Sequence, residues 1–285
     1  MPRAKASLDN LLVLYYTDKD SIEPDDVLRL MRELPERPVR LLNVLLNSSG
    51  GNIYSAYKAI NVIRSKCSSL RVFVPLWAKS AATLMTLGSD EIVMGHQSEL
   101  GPLDAPMEHP TVEGIHLSAM DGVNSLDFLY GFCYYVTFDL GGDIRKETRL
   151  SRKDSLQLAL DFTRQYVQPI VAKLDPLLIN MCYRYLQIAE KYASELLLRY
   201  MFKDKRDKKD LAEDVSHKLV YEYPEHSFAI CCSEAEHLGL NIVKAERVQA
   251  WDSIWQIYLS LSRAGVKTVK FLNRNKLNEV LGVGR

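Results

Sequence analysis

The 285-residue chain contains no apolar run of about 18 residues, so no segment of it is expected to span a membrane. The opening Met1-Pro2-Arg3-Ala4-Lys5 is basic, but no apolar stretch of signal-peptide length follows it, and Leu11–Tyr16 is too short to serve. Net charge is missing as well. Thirty-six basic residues cancel thirty-six acidic ones, which leaves no overall field to draw in nucleic acid or an anionic membrane surface. Cysteine is scarce: Cys67, Cys133, Cys182, Cys231 and Cys232 are odd in number and lack metal spacing. They read as reduced thiols of a cytoplasmic protein, with the adjacent Cys231 and Cys232 as small buried hydrophobes. No Gly-x-Gly-x-x-Gly follows a strand, which excludes the dinucleotide fingerprint. No His/Cys/Asp cluster has ligand spacing, so neither a metal nor another cofactor is expected. Internal repeats and low-complexity blocks are also absent.

What is present is an alternation of strand and helix from Asn10 to Met94, the signature of an α/β layer with a parallel sheet. Asn10–Thr17 reads as the first strand. A helix follows from Pro24 to about Leu34, with Asp25 and Asp26 in its first turn, where the helix dipole favours negative charge. Arg40–Leu46 is almost continuously apolar, which suits a strand buried on both faces. It ends at Asn47-Ser48-Ser49-Gly50-Gly51-Asn52, where two glycines permit a sharp turn. Ile53, Ala56, Tyr57, Ile60 and Ile63 then follow helical spacing. The strand Leu70–Pro75 leads to Trp77-Ala78-Lys79-Ser80 and a small-residue helix, Ala81–Leu87. A helix N-terminus offers unpaired N–H groups, which favour a hydroxyl nucleophile and its developing oxyanion. Two neighbouring βα turns would therefore supply a donor pair, Gly50 and Gly51, and a nucleophile, Ser80. Those are the parts needed for acyl transfer.

The order strand, Gly-Gly, helix, strand, Ser, helix resembles the Clp protease/crotonase superfamily. Within it, Ala78-Lys79-Ser80-Ala81-Ala82-Thr83, Asp90-Glu91-Ile92-Val93-Met94-Gly95 and Ser98-Glu99-Leu100-Gly101-Pro102-Leu103-Asp104 resemble the serine dehydrogenase proteinase family, a relative of the Clp proteolytic subunit and of signal peptide peptidase A. The resemblance is strong over residues 10–110 and looser over 205–245. It implies a Clp/crotonase-like core with helical additions, and a triad in the order Ser, Asp, His. Asp104 supplies the carboxylate; its plain alternative is a turn residue bonded to its own backbone. Ala82 stands where the family has glycine, and its methyl would crowd the substrate. Ser227 stands where glycine or aspartate is usual.

A serine hydroxyl needs a base to remove its proton. His96, in Gly95-His96-Gln97-Ser98, follows Ser80 soon after, as the base does in the Clp proteolytic subunit, but at a shorter spacing. His226, in Tyr223-Pro224-Glu225-His226-Ser227-Phe228, resembles the tract around the family's catalytic histidine and is preferred. His217 and His237 lie in helical stretches, and His109 and His116 in an irregular region without a motif. Relatives of the signal-peptide-peptidase group pair serine with lysine. Lys79, adjacent to Ser80, points elsewhere and reads as a surface or supporting residue.

From Leu100 to Leu126 the pattern loosens. Phe128–Leu140 is aromatic and fits strand or helix, and Gly141-Gly142 reads as a break. Leu156–Lys173 and a segment from Asp175-Pro176 to about Tyr200 are helical, the second with Leu178, Met181, Cys182, Tyr185, Leu186 and Ala189 on one stripe. Three regions are expected: an α/β core over 1–145, a helical extension over 146–210, and a return segment over 211–285 that belongs to the core and carries His226. The extension serves an oligomer interface or an ordinary helical layer; a homo-oligomer is expected, with Leu178, Met181 and Tyr185 as contacts. The polar end of the chain beyond Asn273 is expected to be mobile. The predicted activity is peptide-bond hydrolysis of a peptide or protein substrate by Ser80, His226 and Asp104 with the Gly50/Gly51 oxyanion pair, with or without a partner protein. The competing readings are a crotonase-like acyl-thioester enzyme and a non-catalytic interaction module on the same fold. The bland roles are a helix cap for Ser80, plain turn glycines for Gly50 and Gly51, and a surface histidine for His226.

Overall fold

The structure, a computed structural model, describes Leu8 and residues 10–104, 106–108 and 116–281. Met1 to Lys5, Ala105 and His109 lie outside the described residues. Along the chain run β1 (Asn10–Tyr15), α1 (Pro24–Glu33), β2 (Val39–Asn47), α2 (Ile53–Arg64), β3 (Cys67–Val74), β4 (Trp77–Ala78), α3 (Ala81–Leu87), β5 (Glu91–Met94) and β6 (Glu99–Leu100). Then come β7 (Pro106–Glu108), β8 (His116–Ser118), α4 (Ala119–Thr148), α5 (Arg152–Val171), α6 (Pro176–Leu196) and α7 (Lys208–Tyr221). The chain ends with β9 (Ile230–Cys231), α8 (Cys232–His237), β10 (Ile242–Lys244), α9 (Trp251–Ala264), β11 (Thr268–Asn273) and α10 (Arg274–Leu281).

Two compact units result. The first joins residues 1–105 to 186–285, and the second is 106–185. α4 runs unbroken from Ala119 to Thr148, across the expected 145/146 boundary.

In the first unit a six-stranded sheet has the order β10-β5-β3-β2-β1-β11, parallel except for β11. This is a mixed α/β fold with a largely parallel sheet and many helices. Alternation along β1 puts Leu11, Val13 and Tyr15 against Ile254, Ile257 and Tyr258 of α9, while Leu12 and Leu14 are fully buried on the other face. β2 is buried on both faces from Leu42 to Asn47, as its apolar run requires. A second sheet, β4-β6-β9, stands on the site side of the unit, and its last strand arrives from the far end of the chain. The edge strands β9, β10 and β11 are too short or too mixed to announce themselves by periodicity. The segment after Asn273 forms α10, with Leu277 packed in the core, so the expectation of a mobile tail is corrected for residues 274–281.

The second unit is a helical one with a two-stranded ribbon, β7–β8, at its start. Phe128–Leu140 is helix, and the expected break at Gly141-Gly142 does not occur. A Cβ at Gly141 would meet Ala159 Cβ at 3.5 Å, so this glycine lies where α4 packs on α5. That packing outweighs a helix-propensity cost of about 1 kcal/mol per glycine. Many large apolar side chains of this unit stay exposed, among them Phe128, Tyr130, Tyr135, Phe162, Tyr166 and Leu177. Of the expected oligomer contacts, Met181 is exposed whereas Leu178 and Tyr185 are half-buried. Among the described residues no helix is long and apolar enough to cross a membrane.

Candidate active site

All five proposed site residues lie in the first unit. The two βα turns that follow β2 and β4 are tied side by side by main-chain bonds. Ser48 N–H donates to Trp77 O (3.1 Å), and Lys79 N–H donates to Ser48 O (3.0 Å). Gly50 adopts φ +117°, and a Cβ there would sit 3.0 Å from both Lys79 O and Ser80 Cβ. Its glycine is thus required by the conformation and by Ser80 itself. Gly51, at φ +138°, admits no side chain either, because Ile22 N would lie 2.3 Å from its Cβ. Ile22 N–H donates to Gly50 O, and Asn52 N–H donates to Ile22 O, both at 2.8 Å. Gly50 N–H is already engaged: it donates to Ser48 Oγ at 3.1 Å.

Ser80 is one of two described non-glycine residues with positive φ, at φ 49° and ψ −118°. A non-glycine residue held there stores strain that its surroundings must impose. The surroundings are visible. Thr83 Oγ1 lies 2.6 Å from Ala78 O and 2.9 Å from Gly101 O, and accepts Gly101 N–H at 3.1 Å. It therefore ties the first turn of α3 to the strand before it and to the loop after β6. Ser80 stands at the N-cap position of α3 but makes no capping bond. Its hydroxyl is buried, the residue being 2% exposed, and has no hydrogen-bond partner among the described residues. The helix-cap role is thereby removed. Ala82 is fully buried, so its methyl packs in the core.

The chain does return to this place. β9 pairs antiparallel with β6, Glu99 opposite Cys231 and Leu100 opposite Ile230. His226 Nδ1 donates to the main-chain carbonyl of Asp104, not to its carboxylate. A carbonyl only accepts, so this contact puts the ring proton on Nδ1 and leaves Nε2 with the lone pair of a base. Asp104 is buried, at 4% exposure. His226 is brought to Asp104, but no hydrogen bond joins it to Ser80 Oγ. His96 is 92% exposed and pairs with Glu246 through Nε2 at 2.8 Å. His217 Nδ1 is 3.1 Å from Glu190.

Lys79 is not a surface residue. Its side chain is 14% exposed, 3.0 Å from Glu99 Oε1, and its ammonium donates to Leu100 O and Phe228 O. Asp90, from the second family-like motif, serves the framework: Arg64 Nη1, Lys203 Nζ and Leu70 N–H all donate to its carboxylate at 2.7–2.8 Å. Burial pushes its carboxyl up, but those donors outweigh burial and hold it below the ordinary value. Cys231 is exposed and Cys232 half-buried, which corrects their reading as buried hydrophobes. Ser233 Oγ, 3.2 Å away, and the Glu234 amide lower the Cys231 thiol, whereas burial raises that of Cys232. Among the described residues no three His, Cys, Asp or Glu side chains gather as a metal site.

Fold and turns together define a mixed α/β protein with a strained serine elbow. Residues 11–121 match the model of a family described as ClpP-like SDH-type serine proteinase. A further relative is an uncharacterised protein of Methanocaldococcus jannaschii, 27% identical over 115 residues. The match covers 40% of this chain and 38% of that protein. Among solved structures, a mutant of the 1510-N membrane-bound stomatin-specific protease is similar with a TM-score of 0.29 and 15% identity. That similarity covers 48% of this chain and 64% of the other, and carries no argument about the site.

Proposed function

We propose that the chain is a serine peptidase in which Ser80 is the nucleophile. The observation that carries this reading is the Ser80 hydroxyl: buried, unpartnered and held at positive φ on a strand-to-helix turn. A buried polar atom without a partner costs about 1–3 kcal/mol, and a catalytic role is one reason for keeping it. Of such atoms among the described residues, Ser80 Oγ alone belongs to a residue at positive φ. A serine on a strained strand-to-helix turn is the arrangement of the nucleophile in many acyl-transfer enzymes. Their hydroxyl is exposed where that of Ser80 is buried, so substrate must open the turn to reach it. In this reading Ser80 Oγ attacks the scissile carbonyl, and His226 takes its proton through Nε2 and later returns it to the leaving amine. Asp104 orients the imidazole through its carbonyl. Because Gly50 N–H is engaged with Ser48, the leading oxyanion donor is Gly51, with Gly50 as its partner once it leaves Ser48. The missing Ser80–His226 bond is compatible with this, since catalytic hydrogen bonds in ligand-free sites often tighten only with substrate. The crotonase-like and non-catalytic readings make the strain at Ser80 incidental.

A fluorophosphonate probe is expected to label the wild-type protein at Ser80 and to leave Ser80→Ala unlabelled. Equal labelling of both, read by peptide mass, would remove Ser80 from any mechanism. The substrate class that fits is a polypeptide. The exposed aromatic side chains of α4 and α5 support a homo-oligomer, because contiguous apolar patches beyond a few hundred Å² mark interaction surfaces. A light-scattering mass of one chain, 32.5 kDa, at micromolar concentration would overturn that part.

A further inference from the structure

We infer that Lys79 is a positioning residue that sets the His226 loop against the Ser80 turn; this rests on the peptidase reading. Three pieces of the site converge on this one residue. Through its amide it binds Ser48 O at 3.0 Å, and so the turn that carries Gly50 and Gly51. Along the chain it precedes Ser80, and its carbonyl accepts Ala82 N–H at 2.8 Å, closing the turn around the nucleophile. Through its ammonium it reaches Leu100 O (3.3 Å) and Phe228 O (3.2 Å), with Glu99 Oε1 at 3.0 Å.

The two carbonyls belong to different segments. Leu100 lies on β6, whose continuation leads to Asp104. Phe228 lies two residues beyond His226, in the loop that returns as β9. Among the described residues the two segments are otherwise joined here by the two-residue pairing of β6 with β9 and by the His226–Asp104 contact. Gly101 makes the route possible: a Cβ there would meet Lys79 Cδ at 2.6 Å, so the lysine stem lies across its backbone. A mostly buried ammonium with three oxygen acceptors is satisfied and fixed, and one charged partner compensates its charge. An ammonium with those bonds is not a base for Ser80, whose hydroxyl has no hydrogen bond to it. The lysine next to the nucleophile therefore does its work at a distance, by holding the histidine's loop.

The test uses the full chain and two readouts. Lys79→Met keeps the stem but removes every donor. It is expected to lower kinact for a fluorophosphonate by about 100-fold, the scale of a misplaced catalytic group, with KI within about twofold. Amide exchange over residues 226–231 is expected to speed up about tenfold, as bonds that restrained the loop are lost. Lys79→Arg should recover most of kinact and of the protection, and arginine cannot act as a base in proteins. Wild-type kinact and exchange in Lys79→Met would overturn the inference. So would a Lys79→Arg as inert as Lys79→Met with exchange unchanged in both, which would make Lys79 the base. If Lys79→Met does not fold, Glu99→Gln takes its place, with about threefold lower kinact and faster exchange expected from the lost charge assistance; unchanged values would again sink the clamp. Should Ser80→Ala label like wild type, the peptidase reading fails separately, and the exchange measurement still decides the clamp because it needs no turnover.

Discussion

The turn that carries Ser80 and the loop that carries His226 are held by different kinds of bond. Around Ser80 the restraints are short-range and mostly main-chain: Ser48 to Trp77, Lys79 to Ser48, Ala82 to Lys79, with Thr83 bracing the turn from within α3. Every partner lies between residues 47 and 101. Around His226 the restraints cross more than 120 residues of chain. Among the described residues these long-range restraints are a two-residue strand pairing, one imidazole–carbonyl bond and one lysine ammonium. Beside them stand local bonds from Phe228 N–H to Glu225 O and from Ser227 Oγ to the Glu225 carboxylate. The first region is therefore built to hold strain, since a non-glycine positive φ persists only where its surroundings over-determine it. The second is built to be placed, and with few bonds to break it has the lower cost of local opening. Under the proposed peptidase reading, Ser80 would be a nucleophile fixed in advance and His226 a base delivered by a looser loop, which fits the absence of a Ser80–His226 hydrogen bond.

The largest expected effect falls on the looser half. Truncating a triad histidine removes catalysis almost as fully as removing the serine, because the members act as a unit. His226→Ala is expected to cut the rate of fluorophosphonate labelling by roughly three orders of magnitude, and its peptidase turnover is expected to match that of Ser80→Ala within about tenfold. His96→Ala should stay within about twofold of wild type, because its ring is exposed and its ion pair with Glu246 is a surface one. Labelling rates of the three variants decide it. A near-normal His226→Ala with a silent His96→Ala would transfer the base to the histidine that is closer in sequence.

The same contrast explains which parts of the molecule could be read from sequence. Strands β1, β2 and β3 are legible as apolar runs and α2 by its helical period, because they bury broad faces in the first unit, whereas α1 and α3 are legible from their first turns. The elbow was legible too: Gly50, Gly51 and Ser80 sit in turns whose chemistry is local. What periodicity misses is set by partners far away in the chain. β9 and β10 have two and three residues, too few to show alternation, and they exist because β6 and β5 offer an edge. Lys79 reads in the sequence as either a surface or a supporting residue, because nothing local reveals that Phe228 O will lie within reach. The Asp104 carbonyl, rather than its carboxylate, meets His226, a choice of atom that residue types do not encode. Gly141-Gly142 misled in the opposite direction, since a helix can absorb two glycines when one of them lets a neighbouring helix approach.

A pair of single-methyl changes sharpens the contrast from the side of the strained half. Gly50→Ala adds a methyl where φ is +117° and where Ser80 Cβ and Lys79 O each lie only 3.0 Å away. Neither neighbour is the yielding end of a flexible side chain: one is main chain, the other is the first side-chain carbon of the strained residue. Backbone strain of about 1–3 kcal/mol is expected in denaturant unfolding, with more from the contact. Labelling at Ser80 should fall further than stability alone explains, because the methyl displaces the nucleophile. Ala82→Gly removes a methyl from a fully buried position on the other side of the same turn. Its cost should be smaller, about 0.5–1 kcal/mol, from backbone entropy, and labelling should stay within about twofold. If the Ala82 methyl crowds the substrate instead of filling the core, Ala82→Gly will label faster with bulky peptidyl phosphonates than with small ones. Equal ratios for both probes would make Ala82 a packing residue, and would make Gly50 the closer limit on what can approach Ser80.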